Sequence, residues 1–406
     1  MEKNNYSKVQ RIACFSLVCL PLLQCYNFLG TALTKFLMLG LVAYFAFIVR
    51  TKPTVPTKLK FFLLYSFTVP QVFAIISGNT SEFLGSSITL WLFFAAFIYF
   101  MPHLDVELIR KYYRVTIYVA IGVFLLQEIS YYVTGARFGV LIPFLDLYNG
   151  TPASDFLSTY SSFNRSCSIF VEPSHFAQYL APYLALSLNV VSQQKRFFDL
   201  ESIIISLVFI FLRSGNGYFL LASIWIVHFL YCNMSMLKKM CIILPFVAII
   251  IFYGFTYFSN SEIGEEVLSR TEQLDPNYTG DSLSGSVRIY RGFWVYASMP
   301  SYLKVFGVGL GGVNSVIDNS PLSWSFVNEH YVNNVSCFLM AFGYIGVFLL
   351  VIFLFSLCSR KEPGSIALIV AFICLGLMES FICDSRMLLY LLLPYAMVYC
   401  NKKAII

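Results

Sequence analysis

The chain has 406 residues, of which 58% are hydrophobic and 12% charged, with a formal net charge of +6 and a mean hydropathy of +0.73. A soluble globular domain is excluded by this composition, which belongs to an integral membrane protein. The positive balance follows from membrane orientation, as shown below, and gives no ground for a nucleic-acid partner.

Apolar runs of roughly 15 to 23 residues recur along the chain, most of them close to the roughly 20 needed to cross hydrocarbon as a helix. They predict an all-α polytopic membrane protein, one domain over 1–406, with about 12 transmembrane helices. The first half offers runs at 12–28, 33–49, 61–77, 85–101, 115–133 and 169–191. The second offers 199–212, 217–233, 241–258, 335–357, 366–382 and 387–400. A basic amino terminus precedes the first run, but no small-residue cleavage site follows it and a second run comes at once, so it reads as a retained helix. That first pair could also merge into a re-entrant hairpin. The pair around Arg213 is short, and Arg213-Ser214-Gly215-Asn216-Gly217 must turn tightly between its members.

With the amino terminus inside, 18 of the 27 basic residues fall in cytoplasmic segments, as the positive-inside rule requires. Lys35 lies near a helix end where it could snorkel. The eight outer cations are Arg137, Arg165, Arg213, Arg270, Arg288, Arg291, Lys304 and Arg386. Seven of these are arginine, against six of the 18 inside, so the outer set is more than a leftover of topology. Both long non-spanning stretches, about 134–168 and 259–334, also fall outside, and the larger is expected to carry short amphipathic helices and part of the site.

At the entry to the sixth run stand Arg165 and then Phe170-Val171-Glu172-Pro173-Ser174-His175. Proline fits the first turn of a helix, and a carboxylate there suits the helix dipole, so Glu172 reads as a helix-end residue. It reads equally as a carboxylate at the mouth of the bundle, able to take a proton from a hydroxyl or to orient an arginine. His175 reads as a packing residue.

Within the larger outer stretch, Gly285 to Ser298 wound as a helix places Ile289, Phe293, Tyr296 and Ala297 on one side and Arg288, Arg291 and Ser298 opposite. A basic stripe of this kind can meet lipid headgroups. It can also clamp a pyrophosphate, since guanidinium matches phosphate bidentately and stays charged when partly desolvated. Phe306-Gly307-Val308-Gly309-Leu310-Gly311-Gly312 follows as a flexible turn that lets backbone approach something, or packs tightly. No βαβ pattern surrounds it, so it is no dinucleotide fingerprint. In Asn328-Glu329-His330-Tyr331-Val332-Asn333-Asn334, His330 could accept a hydroxyl proton or hold a phosphate, or be a solvated loop histidine. Glu272, Asp275 and Asp281 read as solvated charges and no metal site is expected. The eleven cysteines are scattered singly, without a C-x-x-C pair.

These pieces, in this order, resemble the O-antigen polymerase and ligase superfamily of bacterial cell-envelope glycosyltransferases, Wzy-type polymerases in particular. The match is carried by Arg165 with Phe170 to Ser174, Arg213-Ser214-Gly215, Gly285-Ser286-Val287-Arg288, Phe306 to Gly311, and His330 to Asn334 entering a run with Gly343-Tyr344-Ile345-Gly346. It covers most of the chain from Arg165 onward; each motif is short, and their order carries the specificity. The resemblance implies a bacterial inner-membrane enzyme active at the outer face. It implies an inverting, metal-independent transfer without cofactor, in which a glycan on undecaprenyl pyrophosphate is moved onto a lipid-linked repeat unit to build an O-antigen or capsule. Its partners would be the lipid-linked donor and acceptor, membrane lipids and a chain-length regulator protein. Arg213 and Arg288 look like the family's pyrophosphate-holding arginines, with Arg291 and Arg165 as further members, and His330 looks like its loop histidine. After Arg213 the motif continues Ser214-Gly215-Asn216-Gly217, a departure that puts its alignment in doubt.

Two rivals remain. A ligase transferring finished glycan would share the bundle, loop and arginines. A lipid-linked oligosaccharide flippase or solute transporter needs a polar path. The runs hold few ionisable residues, chiefly Glu128, His175, His228 and Glu379, and two matching halves are not evident.

Overall fold

The computed structural model describes residues 6–78, 83–147, 150–160, 165–232, 234–241, 284–321, 323 and 331–400. The chain is mostly helical with few strands. Every apolar run read from the sequence is mainly helical, the first ending in strand at 26–28, except 241–258, which, but for its first residue, lies outside the described residues; so do 259–283, 322 and 324–330 of the larger outer stretch. Among the described residues, Thr57–Ile76, Leu84–His103, Val106–Thr134 and Asn334–Ser356 are long and apolar enough to cross a membrane. Shorter apolar helices cover Leu33–Ile48, Leu200–Phe211, Pro363–Met378 and Ser385–Cys400.

Helix α1 (Lys8–Cys19) opens with a capping box: Ser7 Oγ accepts from the Gln10 N–H at 3.2 Å while Gln10 Oε1 accepts from the Ser7 N–H at 3.0 Å. The chain then crosses to α2 (Leu33–Ala43) through a hairpin of β1 (Tyr26–Phe28) and β2 (Thr31–Ala32), not a re-entrant helix pair. Leu29 and Gly30 both have positive φ, 51° and 79°, the twist a two-residue hairpin turn needs. On the far side of β1 pairs β3 (Asp146–Leu147), tying the connection after α6 to this corner.

The run from Thr57 is two pieces, α3 (Thr57–Ser66) and α4 (Val69–Ile76), broken just before Pro70, whose ring cannot follow an uninterrupted helix. Next come α5 (Phe83–Phe100) and α6 (Val106–Thr134), the latter started by Asp105, whose carboxylate accepts the Leu108 N–H at 2.9 Å. Gly135, at φ 74°, ends it as a left-handed cap. Then follow α7 (Ala153–Thr159), α8 (Pro173–Gln193), α9 (Leu200–Phe211) and α10 (Gly215–Tyr231). The last third holds α11 (Ser284–Ser298), α12 (Ser301–Phe306), α13 (Val313–Asp318), α14 (Asn334–Ser356), α15 (Pro363–Met378) and α16 (Ser385–Tyr395).

Helix α8 is the axis of the bundle. It is buried all round from Phe176 to Asn189, and α6, α9, α10, α15 and α16 pack on it. Tyrosines buried there donate their hydroxyls to backbone carbonyls, Tyr390 to Gln178 O at 3.0 Å and Tyr179 to Val18 O at 3.0 Å, so these two phenols are paired despite burial. Away from this axis the helices expose apolar residues instead, Val119, Leu126 and Ile129 on α6 and Ile210 on α9. Apolar outward faces suit hydrocarbon as solvent.

One helix is broken where the chain is most apolar. Gly343, at φ 62°, interrupts α14, and the carbonyls this releases are taken by a neighbouring segment: Val308 N–H donates to Met340 O at 3.0 Å and Gly309 N–H to Ala341 O at 2.8 Å. Backbone approaches backbone so closely that a Cβ at Gly307 would strike Ala341 and one at Gly343 would strike Val305. The glycine run expected to permit a close approach therefore forms a seam along α14, satisfying backbone groups that hydrocarbon would leave bare.

Candidate functional site

Helices α8, α10, α14 and α16 begin, and α15 ends, in one polar region. There Arg213 occupies the expected tight turn between α9 and α10 with φ 49°, a left-handed conformation that costs a non-glycine residue about 1 kcal/mol. Ser214 caps α10 immediately after it. Arg165 Nη1 donates to the Arg213 carbonyl at 2.9 Å, which holds the strained turn in place. The structure thus brings together two arginines 48 positions apart in sequence. Among the described residues the half-buried Arg213 guanidinium itself has no hydrogen-bond or ion-pair partner.

Arg291 is anchored elsewhere in the region: its Nη2 donates to Tyr331 O at 2.9 Å. The amphipathic helix read from the sequence exists as α11, but its buried face is Gly292, Val295 and Tyr296, while Ala297 is exposed and Phe293 only half-buried. Gly292 explains the turn of that face. A Cβ there would meet the Ser336 side chain, so the glycine lets α11 lie directly on α14. Arg288 stands one turn before Arg291, with its side chain outside the described residues. His330 also lies outside them, directly before the Tyr331 that holds Arg291.

Glu172 is the residue preceding α8, exposed, and its Oε2 accepts the Ser174 hydroxyl at 3.0 Å. No hydrogen bond or ion pair joins it to Arg165, Arg213 or Arg291 among the described residues. Arg137 is spent on structure: buried, it pairs with Glu128 at 3.5 Å, bonds Ser166 Oγ at 3.0 Å and lies 3.7 Å over the Tyr131 ring. Cys167 beside Arg165 is no nucleophile, since burial pushes its thiol up to about 12.

Between these arginines runs a polar belt that sequence reasoning missed. Asn216, in the first turn of α10, donates to Glu379 Oε1 at 2.5 Å, and the Glu379 carbonyl accepts the Asn334 N–H at 3.0 Å. Asp384 caps α16 through the Met387 N–H at 2.9 Å and pairs with Arg386 at 2.7 Å. Arg386 reaches back to Gln178 Oε1 on α8 at 2.5 Å. Burial pushes the Asp384 carboxyl up, and the Arg386 charge opposes the shift. Tyr331 closes the ring, donating to Met378 O at 3.2 Å and accepting the Ser380 N–H at 3.2 Å. One signal could have found it: Glu379, Asp384 and Arg386 crowd a short connection between two apolar runs, where ionisable residues are costly and tend to be functional. The amides of Gln178 and Asn216 carry no such signal.

Against this belt lies a cavity of about 720 Å³, with Ser380 and Val332 in its wall and Lys35 of α2 lining it. Arg213, Arg291 and Lys35 thus bring positive charge to one end of the bundle, together with the amino-terminal ends of several helices, which favour anions. Such an arrangement can hold a multiply charged anion and stabilise charge that builds on a phosphate oxygen. Compared with known proteins, the chain matches no family model and no curated protein.

Proposed function

We propose that this protein is an inner-membrane glycosyltransferase of about 12 spans that polymerises undecaprenyl-pyrophosphate-linked repeat units into a surface polysaccharide, with its site at the outer face. The observation that carries the reading is Arg213: a guanidinium without a partner among the described residues, on a strained turn pinned by Arg165, at the amino-terminal end of α10. Strain retained at a charged residue is a mark of function. The order of the sequence motifs supplies the chemical class.

In this chemistry a hydroxyl of the acceptor sugar attacks the anomeric carbon of the donor. The bond from that carbon to the pyrophosphate oxygen breaks with inversion, and undecaprenyl pyrophosphate leaves. Arg213, with Arg288 and Arg291 on α11, would take up the charge gained by the leaving oxygen. Loss of one such donor costs on the order of 3 kcal/mol, about a hundredfold in rate. The hydroxyl proton would pass to Glu172, whose exposed carboxylate has one oxygen engaged only by Ser174, or to His330. The polymerase would require no metal, and a length-regulating protein is its expected partner.

Purified protein given a lipid-linked repeat unit in liposomes with EDTA present should produce a ladder of polymer that Arg288→Ala and Arg288→Lys both lose. An authentic substrate left unpolymerised by well-folded protein would overturn the polymerase. A second reading, transport of the lipid-linked glycan, draws on the broken α14, since interrupted helices often line transport paths. Movement of the intact substrate across liposomes without growth of the glycan would favour it.

A further inference from the structure

The cavity beside the polar belt has a chemical character of its own. It lies between the amino-terminal ends of α2 and α5, and its lining among the described residues contains no aspartate or glutamate. Lys35 sits in the first turn of α2, which has no side-chain cap. A cation is unfavourable at that end of a helix, because the free N–H groups already concentrate positive charge there. Lys35 nevertheless has no hydrogen-bond or ion-pair partner among the described residues. Around it the side chains of Thr31, Ser86, Thr89 and Asn314 also line the cavity without hydrogen-bond partners among the described residues. One ammonium, two helix amino-terminal ends and four neutral polar groups, with no carboxylate among the described residues of the lining, make a seat for an anion.

The remainder of the cavity is apolar. Leu92, Val313 and Ile382 contribute to its wall. At its edge Phe36, Leu39 and Ile88 are 38%, 51% and 63% exposed, on the side where the bundle presents apolar residues outward. Water-borne anions gain nothing from such a rim, whereas an amphiphile could slide in from hydrocarbon with its head toward Lys35. The volume lies within the roughly 300–1,000 Å³ usual for small-ligand sites. Through Ser380 and Val332 the same cavity touches the segment whose Tyr331 anchors Arg291.

We infer that this cavity is a lateral entry site for a polyprenyl phosphate lipid, with Lys35 holding the phosphate and the exposed apolar edge of Phe36, Leu39 and Ile88 admitting the chain. The choice of a polyprenyl over a diacyl lipid rests on the function proposed above; the phosphate head and the apolar entry rest on the cavity alone.

The test measures binding without turnover. Protein in phosphatidylcholine nanodiscs is photolabelled with a diazirine-bearing undecaprenyl phosphate, and the labelled peptides are mapped. Label is expected on 33–39 and 85–92. Lys35→Gln should weaken labelling about tenfold, the size of one lost charged hydrogen bond, and Lys35→Arg should restore most of it. Thr89→Trp, which fills the cavity from α5 and leaves Lys35 in the sequence, should also block labelling. Label mapped elsewhere, or Lys35→Gln labelled like the parent, would overturn the site. Competition by phosphatidylglycerol equal to that by undecaprenyl phosphate would overturn the polyprenyl assignment. Labelling at the site by protein that builds no polymer would fault the proposed function and leave the site standing; polymer made by protein that does not label there would do the reverse.

Discussion

Two charged regions of this molecule solve the same electrostatic problem in opposite ways. On α9, Glu201 collects four donors: Arg114 Nε and Nη2 at 3.0 Å each, Tyr183 Oη at 2.7 Å and Tyr118 Oη at 2.8 Å. Charge and hydrogen bonds close on themselves, and three helices are tied together. At the turn before α10 and at the start of α2 the balance is left open, since Arg213 and Lys35 have no protein counter-charge among the described residues, and one of them sits on strained backbone. A closed cluster needs nothing more; an open one near a low-dielectric boundary is costly unless a ligand completes it. Residue type does not separate the two, because Arg114 in the closed cluster and Arg213 in the open region are both arginine.

The largest test of this contrast removes the seam on which the open region is mounted. Gly343→Leu and Gly307→Val each force a side chain into backbone, so a loss of about 4 kcal/mol or more is expected, seen as collapse of the monodisperse peak in size-exclusion chromatography. Next in size, Arg213→Ala should lower polymerisation about a hundredfold, close to 3 kcal/mol, while the melting temperature holds. A parallel fall in melting temperature would make Arg213 a structural residue like Arg114. Asp384→Ala leaves Arg386 without its carboxylate and should cost about 3 kcal/mol in thermal unfolding, part of it recovered by adding Arg386→Met. Glu201→Gln should cost about 1–2 kcal/mol of stability and leave the proposed polymerisation by the folded protein unchanged. Smallest and sharpest is Arg213→Gly, which relieves a left-handed residue and should raise stability by about 1 kcal/mol while losing activity. Stability and activity moving in the same direction would refute stored strain at this turn.

Much of the architecture was legible in the sequence because hydropathy and caps are local. Runs of apolar residues placed the helices, Pro173 marked the start of α8, and the glycines and serine after Arg213 announced its tight turn. Charge was harder to read. Lys35 reads as a snorkelling residue at a helix end, and only the packing of α2 beside α5 shows that it lines a cavity, without a hydrogen-bond or ion-pair partner among the described residues. Arg386 reads as one more outer cation, and its pairing with Asp384 and Gln178 depends on α8 and α16 meeting. Glu172 shows the limit from the other side: its sequence context suits a base or a helix end equally, and its exposed position beside Ser174 leaves it apart from the described arginines.

By itself, then, the sequence determined that this is a helical chain for an apolar solvent, where the helices run, and that arginines gather in one set of connections. Those properties follow from composition and from periodicities that span only a few residues. The tertiary structure alone decided which of the arginines are spent on carbonyls and carboxylates and which keep a free charge, which carbonyls of the broken α14 meet the glycine seam, and where a cavity opens. Each of these depends on contacts between residues far apart in the chain, as between Arg165 and Arg213, Asn216 and Glu379, or Gln178 and Arg386. Desolvation and pairing set the role of a charge, and both are fixed only when distant helices pack.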